Sequence, residues 1–200
     1  MNDMSLDLTT PGLDVVSVPS PRPSPLPGDP STRQMIERLI RVDHAGEYGA
    51  ARIYEGQLAI LGRGEKGDIL RHMKAQEQVH LDTFTGLISS RRVRPTMLLP
   101  LWHIAAFTLG AVTAAMGTRA AMACTVAVEE AIDEHYAHQA ANLPPEEEPL
   151  RATIEKFRAE ELEHRDIGLA NEAELAPAYK LMAAVIKAGC KVAIKVSERV

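Results

Sequence analysis

From Ser31 to the C-terminus, apolar residues recur every three or four positions, the period of one buried helix face, and no stretch alternates in the two-residue rhythm of a strand. The breaks in this pattern divide it into six helices. Ser31 followed by Gln34 has the form of a capping box and opens a helix over about 32–62, ended by Gly62 and Gly64. A second helix, about 65–93, stops before Pro95, and a third, about 97–117, stops at Gly117. Thr118 is positioned to cap a fourth over about 119–142, which ends at Pro144 and Pro145. A fifth, about 147–175, is closed by Pro177, and a sixth covers about 178–197. Short connections predict that helices consecutive in sequence pack antiparallel.

The first thirty residues read differently. Pro11, Pro19, Pro21, Pro23, Pro25, Pro27 and Pro30 forbid regular structure, so residues 1–30 are expected to form a flexible, solvated arm, with a docking segment as the alternative. They have neither the basic flank and apolar block of a secretory signal nor the Arg-rich, acid-poor character of an organelle transit peptide.

Composition narrows the function classes. Aromatic residues are 4% of the chain and the net charge is −5, so neither base stacking nor phosphate attraction is available, and nucleic acid is not an expected partner. Cys124 and Cys190 form neither a zinc pattern nor a disulfide framework, and a reducing, cytoplasmic-side compartment is the expectation.

The informative feature is an internal repeat. Glu47, Tyr54 and Gln57 share their spacing with Glu129, Tyr136 and Gln139 in the second half of the chain. Downstream of each set, Glu77-Gln78-Val79-His80-Leu81-Asp82 and Glu161-Leu162-Glu163-His164-Arg165-Asp166 share the form E-x-x-H-x-D. Residues i and i+3 lie on one helix face, so Glu77 and His80 point the same way, as do Glu161 and His164. From Glu47 to the turn at Gly64 is roughly 24 Å of helix, and from the turn back to Glu77 roughly 20 Å. An antiparallel hairpin therefore returns Glu77 to the level of Glu47, and the second hairpin repeats the geometry for Glu129 and Glu161. In the doublets Glu129–Glu130 and Glu160–Glu161, the repeat selects Glu129 and Glu161, leaving Glu160 and Glu163 to face elsewhere.

Four buried carboxylates repel one another and are costly to desolvate, so they must take up protons or find cations. Two divalent ions match their charge, and oxygen and imidazole donors without thiolate suit iron or manganese. One Glu from each of two helices with Glu-x-x-His from each of two others is the ligand pattern of dimetal carboxylate bundles. A lone E-x-x-H is usually just a solvated helix face; two copies, each following a Glu at nearly the same distance, are not readily accidental.

The motifs also resemble those of a known family. Arg41-Val42-Asp43-His44-Ala45-Gly46-Glu47-Tyr48-Gly49-Ala50, Arg92-Val93-Arg94-Pro95-Thr96, Ala121-Met122-Ala123-Cys124-Thr125-Val126-Ala127-Val128-Glu129-Glu130, Glu160-Glu161-Leu162-Glu163-His164 and Glu174-Leu175-Ala176-Pro177-Ala178-Tyr179 resemble the demethoxyubiquinone hydroxylases of ubiquinone biosynthesis, over about residues 34–200. The resemblance implies an all-α, ferritin-like four-helix bundle with a crossover, membrane-associating helix and a C-terminal helix. It implies a di-iron monooxygenase, peripheral on the cytoplasmic face of the cell membrane, that hydroxylates the ring of a polyprenylated methoxy-methyl-benzoquinol with O2. Carried over by motif, the iron ligands fall on Glu47, Glu77, His80, Glu129, Glu161 and His164, the set the repeat selects. An external two-electron donor is required, with NADH a candidate, although no Gly-rich dinucleotide motif is present. Other proteins of ubiquinone biosynthesis are candidate partners. The rival readings are a peroxidase, catalase or ferroxidase on the same bundle, or a non-catalytic quinone carrier.

Met97–Met116 contains no formally charged residue at neutral pH. It matches the length of about 20 residues that a bilayer-spanning helix needs. Pro100, Gly110 and many alanines and threonines argue against that reading. Buried crossover and surface-dipping crossover are the other readings, the latter with Arg91, Arg92 and Arg94 meeting anionic headgroups. For the sixth helix ordinary core packing is the expectation, with Leu181, Val185, Ile186, Val192 and Ile194 adding to the same apolar surface as the alternative. Tyr54 and Tyr136, two turns beyond Glu47 and Glu129, either act at the metals by hydrogen bonding or electron relay, or fill the core. His135 is a candidate for substrate or electron entry, with a surface histidine the alternative. His44 is a candidate to support the ligands, Asp43, Asp82 and Asp166 are candidates to orient a metal-bound imidazole, and Cys124 reads as a buried structural thiol.

Overall fold

The computed structural model describes Leu26 and residues 28–200. The chain divides into Met1–Pro30 and Ser31–Val200. The arm expected over 1–30 lies almost wholly outside the described residues.

Ser31–Val200 is all-α. Its helices are α1 (Thr32–Leu61), α2 (Gly64–Ser90), α3 (Leu99–Ala115), α4 (Thr118–Asn142), α5 (Glu148–Ala170) and α6 (Tyr179–Ser197), with 3-10 turns at Pro145–Glu147 and Ala173–Leu175. The capping box forms as read: Ser31 Oγ accepts from the Gln34 amide at 3.2 Å, and Gln34 Oε1 accepts from the Ser31 amide at 2.9 Å. Thr118 does not cap α4. Gly117 holds the position before the helix at φ 114°, a conformation that suits glycine, and the helix begins directly after it with Thr118 already inside.

Burial explains the packing. Along α2 the buried residues Leu70, Met73, Glu77, His80, Leu81 and Phe84 form one stripe, and α5 shows the same with Leu150, Ile154, Phe157, Glu161 and His164. In α4 every residue from Ala120 to Glu129 is buried, and α1 is buried on more than one face. α1 and α4 are thus the inner helices. Each pairs with its hairpin partner, α2 or α5, and each carries a further helix on another face: α3 along α1 and α6 along α4. The expectation that all consecutive helices pack together therefore holds within the hairpins and fails for α2 with α3 and for α5 with α6. A one-stripe helix has no second apolar face to offer. The repeat accordingly extends over three helices, since α6 follows the second hairpin as α3 follows the first.

Apolar clusters lie on either side of the polar layer described below. One contains Ile36, Ile40, Phe84, Tyr136, Ile154 and Phe157; the other contains Tyr54, Leu70, Met73, Met122 and Val126. A third cluster joins α1 and α4 to the added helices through Ile53, Cys124, Val128 and Ile186.

The α1–α3 contact is backbone on backbone. A Cβ on Gly110 would come within 2.0 Å of the Ile53 carbonyl oxygen, and one on Gly56 within 2.2 Å of the Phe107 carbonyl oxygen. Gly110→Ala and Gly56→Ala are each expected to destabilise the fold by about 1–3 kcal/mol, because neither helix backbone can yield locally. Gly86→Ala, on an exposed turn of α2 with nothing near its Cβ position, should be neutral or stabilise by up to about 1 kcal/mol. Denaturant midpoints of the three variants test this contrast.

Candidate metal centre

Four helices each send side chains into one layer: Glu47 from α1, Glu77 and His80 from α2, Glu129 from α4, and Glu161 and His164 from α5. All six are essentially inaccessible to solvent. They form two overlapping groups able to hold a cation, Glu47–Glu77–His80–Glu161 and Glu77–Glu129–Glu161–His164, with ligand atoms within 4.8 Å of one another in each. Glu77 and Glu161 belong to both groups. Each histidine turns Nδ1 inward. His80 Nδ1 lies 3.1 Å from Glu161 Oε1 and 3.4 Å from Glu47 Oε2, while His164 Nδ1 lies 3.1 Å from Glu77 Oε1 and 3.2 Å from Glu161 Oε2.

Groups around the cluster hold these side chains in place. The tyrosines act across the repeat: Tyr54 donates to Glu129 Oε1 at 2.8 Å, and Tyr136 donates to Glu47 Oε1. Both are buried, so each fills the core and also holds a glutamate by a hydrogen bond. The outer histidine nitrogens depart from expectation. His80 Nε2 pairs with Glu160 Oε2 at 2.7 Å, and His164 Nε2 with Gln76 Oε1 at 3.0 Å. Asp82 instead accepts from Gln78, Asp166 pairs with Arg165, and Asp43 accepts from Gln139, so none of the three orients a ligand imidazole. Glu160, expected to face away, reaches back over the α2 histidine; Glu163 is exposed as read. The signal for Gln76 and Glu160 was their place one residue before the repeated Glu-x-x-His, which puts them on the flank of that face.

Charge in this layer is balanced by protons when no cation is bound. Burial pushes the carboxyls of Glu77 and Glu129 well up, and the charge of Glu161 adds to it. Glu47 also rises, mainly through burial. Burial opposes a charge on His80, but hydrogen bonds to Glu161 and Glu47 overcome it and push its pKa up to about 12. Burial likewise disfavours charge on Glu161, but the imidazoles of His164 and His80 close beside it hold it ionised, down to about 2. Glu47 Oε2, both Glu77 oxygens, Glu129 Oε2, Glu161 Oε2 and His164 Nδ1 are buried with no hydrogen bond of good geometry. Inward lone pairs of this number and kind fit a pair of hard or borderline divalent cations.

The remaining candidates lie outside the layer. His135 is half-buried and meets Gln139 at 2.8 Å and Asp43 at 3.4 Å, not any of the six. His44 is buried with Nδ1 unpartnered, and burial lowers its pKa. The Cys124 thiol is buried and pushed up to about 12, as a structural thiol would be. No helix among the described residues is long and apolar enough to cross a membrane. α3 nevertheless exposes Leu101, Ile104, Phe107 and Val112, and α6 exposes Leu181, Val185 and Val192, with only Ile186 and Ser197 buried in α6. The core packing expected of α6 holds on one face, where Ile186 with Met182, Ala183 and Cys190 joins the third cluster, and the outward Leu181, Val185 and Val192 add to the exposed apolar surface. Trp102 Nε1 donates to Ser197 Oγ at 3.1 Å, tying α3 to α6. Arg91 is occupied by Glu147 at 2.6 Å.

Known proteins are similar to this chain in sequence. A family described as Ubiquinone biosynthesis protein COQ7 matches residues 34–197. The chain is 61% identical over 176 residues to the 3-demethoxyubiquinol 3-hydroxylase of Rhodospirillum rubrum, covering 88% of this chain and 83% of that one. It is 54% identical over 175 residues to the NADPH-dependent 3-demethoxyubiquinone 3-hydroxylase, mitochondrial, of Homo sapiens, covering 86% and 81%. It is 42% identical over 182 residues to the 5-demethoxyubiquinone hydroxylase, mitochondrial, of Saccharomyces cerevisiae, covering 82% and 78%.

A cation entering this layer must displace the protons that now balance it. Uptake of a divalent cation should therefore release protons, and affinity should increase as pH rises above the ordinary carboxylate range, where the raised carboxyls of Glu77 and Glu129 still hold protons. Calorimetry in buffers of different ionisation enthalpy counts the protons; affinity that falls with pH would contradict the charge assignment.

Proposed function

The chain belongs to the Ubiquinone biosynthesis protein COQ7 family, and on that premise we propose that it is a di-iron monooxygenase hydroxylating the ring of a polyprenylated demethoxy-benzoquinol with O2. The observation that carries the proposal is the buried layer of four carboxylates and two inward Nδ1 atoms, with six of its polar atoms lacking a hydrogen bond of good geometry. Its relatives are named as hydroxylases acting on this class of quinone. Glu47 and His80 would serve one iron, Glu129 and His164 the other, with Glu77 and Glu161 shared. Iron, when bound, supplies reduction of O2 and insertion of one oxygen atom into the ring, the second leaving as water at the expense of two electrons and two protons.

The protein's part is positional. Tyr136 and Tyr54 each take one oxygen of Glu47 and Glu129, leaving the other oxygen to face the layer. Glu160 and Gln76 fix the tilt of the two imidazoles and keep Nδ1 inward. Apolar clusters on both sides keep bulk water from reactive oxygen. His135 is retained as a residue of substrate or electron entry, supported by its partial exposure next to Tyr136.

The two electrons come from an external donor of the nicotinamide class. NADH is one candidate, and the printed name of the human relative specifies NADPH for that protein. The substrate's isoprenoid tail points to a membrane surface, reached by the exposed apolar residues of α3 and α6, so the protein would work as a peripheral membrane enzyme on the cytoplasmic face. Because Arg91 is paired with Glu147, Arg92 and Arg94 are the headgroup contacts of that segment.

The test is anaerobic reconstitution of the metal-free protein with ferrous iron, followed by O2, a demethoxy-quinol and either NADH or NADPH. Mass analysis should find one added oxygen atom. Glu161→Ala should lose both bound iron and product, since it removes a shared ligand. Full turnover without iron, or peroxide consumption with no hydroxylated quinol, would overturn the assignment.

A further inference from the structure

The repeat relates each half of the metal centre to the other residue by residue. The offset that carries Glu47 to Glu129 also carries Tyr54 to Tyr136 and Gln57 to Gln139; the offset that carries Glu77 to Glu161 also carries His80 to His164. Under the same offsets Gln76 corresponds to Glu160, Asp43 to Thr125 and Ile53 to His135. In each of these three pairs an ionisable residue faces a neutral one, and all three ionisable members lie on one side.

That side is the half built on Glu47 and His80. Glu160 accepts from His80 Nε2 at 2.7 Å. Asp43 stands one helical turn before Glu47 and accepts from Gln139 at 2.7 Å. His135 adjoins Tyr136, whose hydroxyl donates to Glu47. Around Glu129 and His164 the equivalents are uncharged. The amide oxygen of Gln76 meets His164 Nε2 at 3.0 Å, Gln57 donates to the Ala121 carbonyl at 3.1 Å and to Thr125 Oγ1 at 3.4 Å, and Ile53 packs in an apolar cluster.

From this asymmetry we infer that the two metal positions are inequivalent: the position of Glu47, Glu77, Glu161 and His80 binds a divalent cation first and more tightly, with Glu160 as the positioning residue responsible, and the position of Glu129 and His164 fills second. The inference rests on the metal reading given above. A carboxylate holding the outer N–H of an imidazole makes the inner nitrogen a stronger donor, and it adds a negative charge that draws the cation. An amide oxygen fixes the same tilt without the charge. Lys156 approaches Glu160 at 3.7 Å, but its side chain is 63% exposed, so water screens that pair.

The test is a stepwise anaerobic titration of the metal-free full chain with Mn2+, followed by calorimetry and electron paramagnetic resonance. The first equivalent should give the signal of an isolated ion, and the second should replace it with a spin-coupled pair. Glu160→Gln, isosteric and on a side chain 27% exposed, should weaken the first step by about tenfold or more and draw the two steps together. Gln76→Glu should strengthen the second step by a similar factor, a gain that loss of packing would not produce. Glu129→Gln should keep the tight step and Glu47→Gln should lose it. Spin-coupled signal from the first addition in the unaltered protein, weakening of only the second step in Glu160→Gln, or the opposite behaviour of the two ligand variants would overturn the inference while leaving the dimetal site standing. Absence of any Mn2+ uptake by the unaltered protein would instead overturn the metal reading and the inference together.

Discussion

Four carboxyl groups meet in a layer from which water is excluded, and the packing and hydrogen bonds around that layer answer to their charge. Left ionised and alone they would repel and cost more in lost hydration than the surrounding packing could return. Two imidazoles turned inward at Nδ1 and a set of retained protons provide one compensation; the cluster is also able to hold a metal ion, whose charge would provide another. The hydrogen bonds from Tyr54 and Tyr136 belong to the same balance, each satisfying one oxygen of a glutamate and directing the other into the layer.

The architecture that holds this layer is a three-helix unit used twice. α1 and α4 are buried on more than one face and act as the axis of each unit, with a hairpin partner on one side and an apolar helix on the other. Crossing of contacts between units binds the duplication into one site. Tyr54 serves the glutamate of the second unit and Tyr136 that of the first, while Gln76 and Glu160 each hold the histidine of the opposite unit. Neither half could assemble its ligands alone.

The two units share the same glutamates and histidines and differ around them. α3 is clamped to α1 by backbone contact at Gly56 and Gly110, whereas α6 covers α4 with a narrow buried strip. Both leave apolar side chains in solvent, such as Ile104 at 66% and Leu181 at 67% exposure, on the helices that do not contribute ligands. The chemistry and the apolar surface are thereby assigned to different helices of each unit.

Much of this was legible in the linear chain. The helical period, the punctuation by glycine and proline and the capping box at Ser31 determine five of the six helices to within about three residues, because they act within one or two turns; α5, expected to run to 175, ends at Ala170 and a separate 3-10 turn at Ala173–Leu175 follows. The six clustered side chains were legible too, because i,i+3 spacing and equal hairpin arms are fixed by helix geometry, and duplication supplied the register twice. Which helix lies on which was not, since packing of α3 on α1 depends on a glycine-to-backbone approach between residues far apart in sequence, Gly110 with Ile53 and Gly56 with Phe107. The partners of the outer imidazole nitrogens escaped for the same reason: proximity in sequence favoured Asp82 and Asp166, whereas Glu160 and Gln76 arrive from the facing helix of the other repeat. Local sequence determines conformation through short-range forces; only the folded chain decides which of many chemically suitable acceptors comes within hydrogen-bonding reach of a given nitrogen, because that reach is set by how whole helices dock.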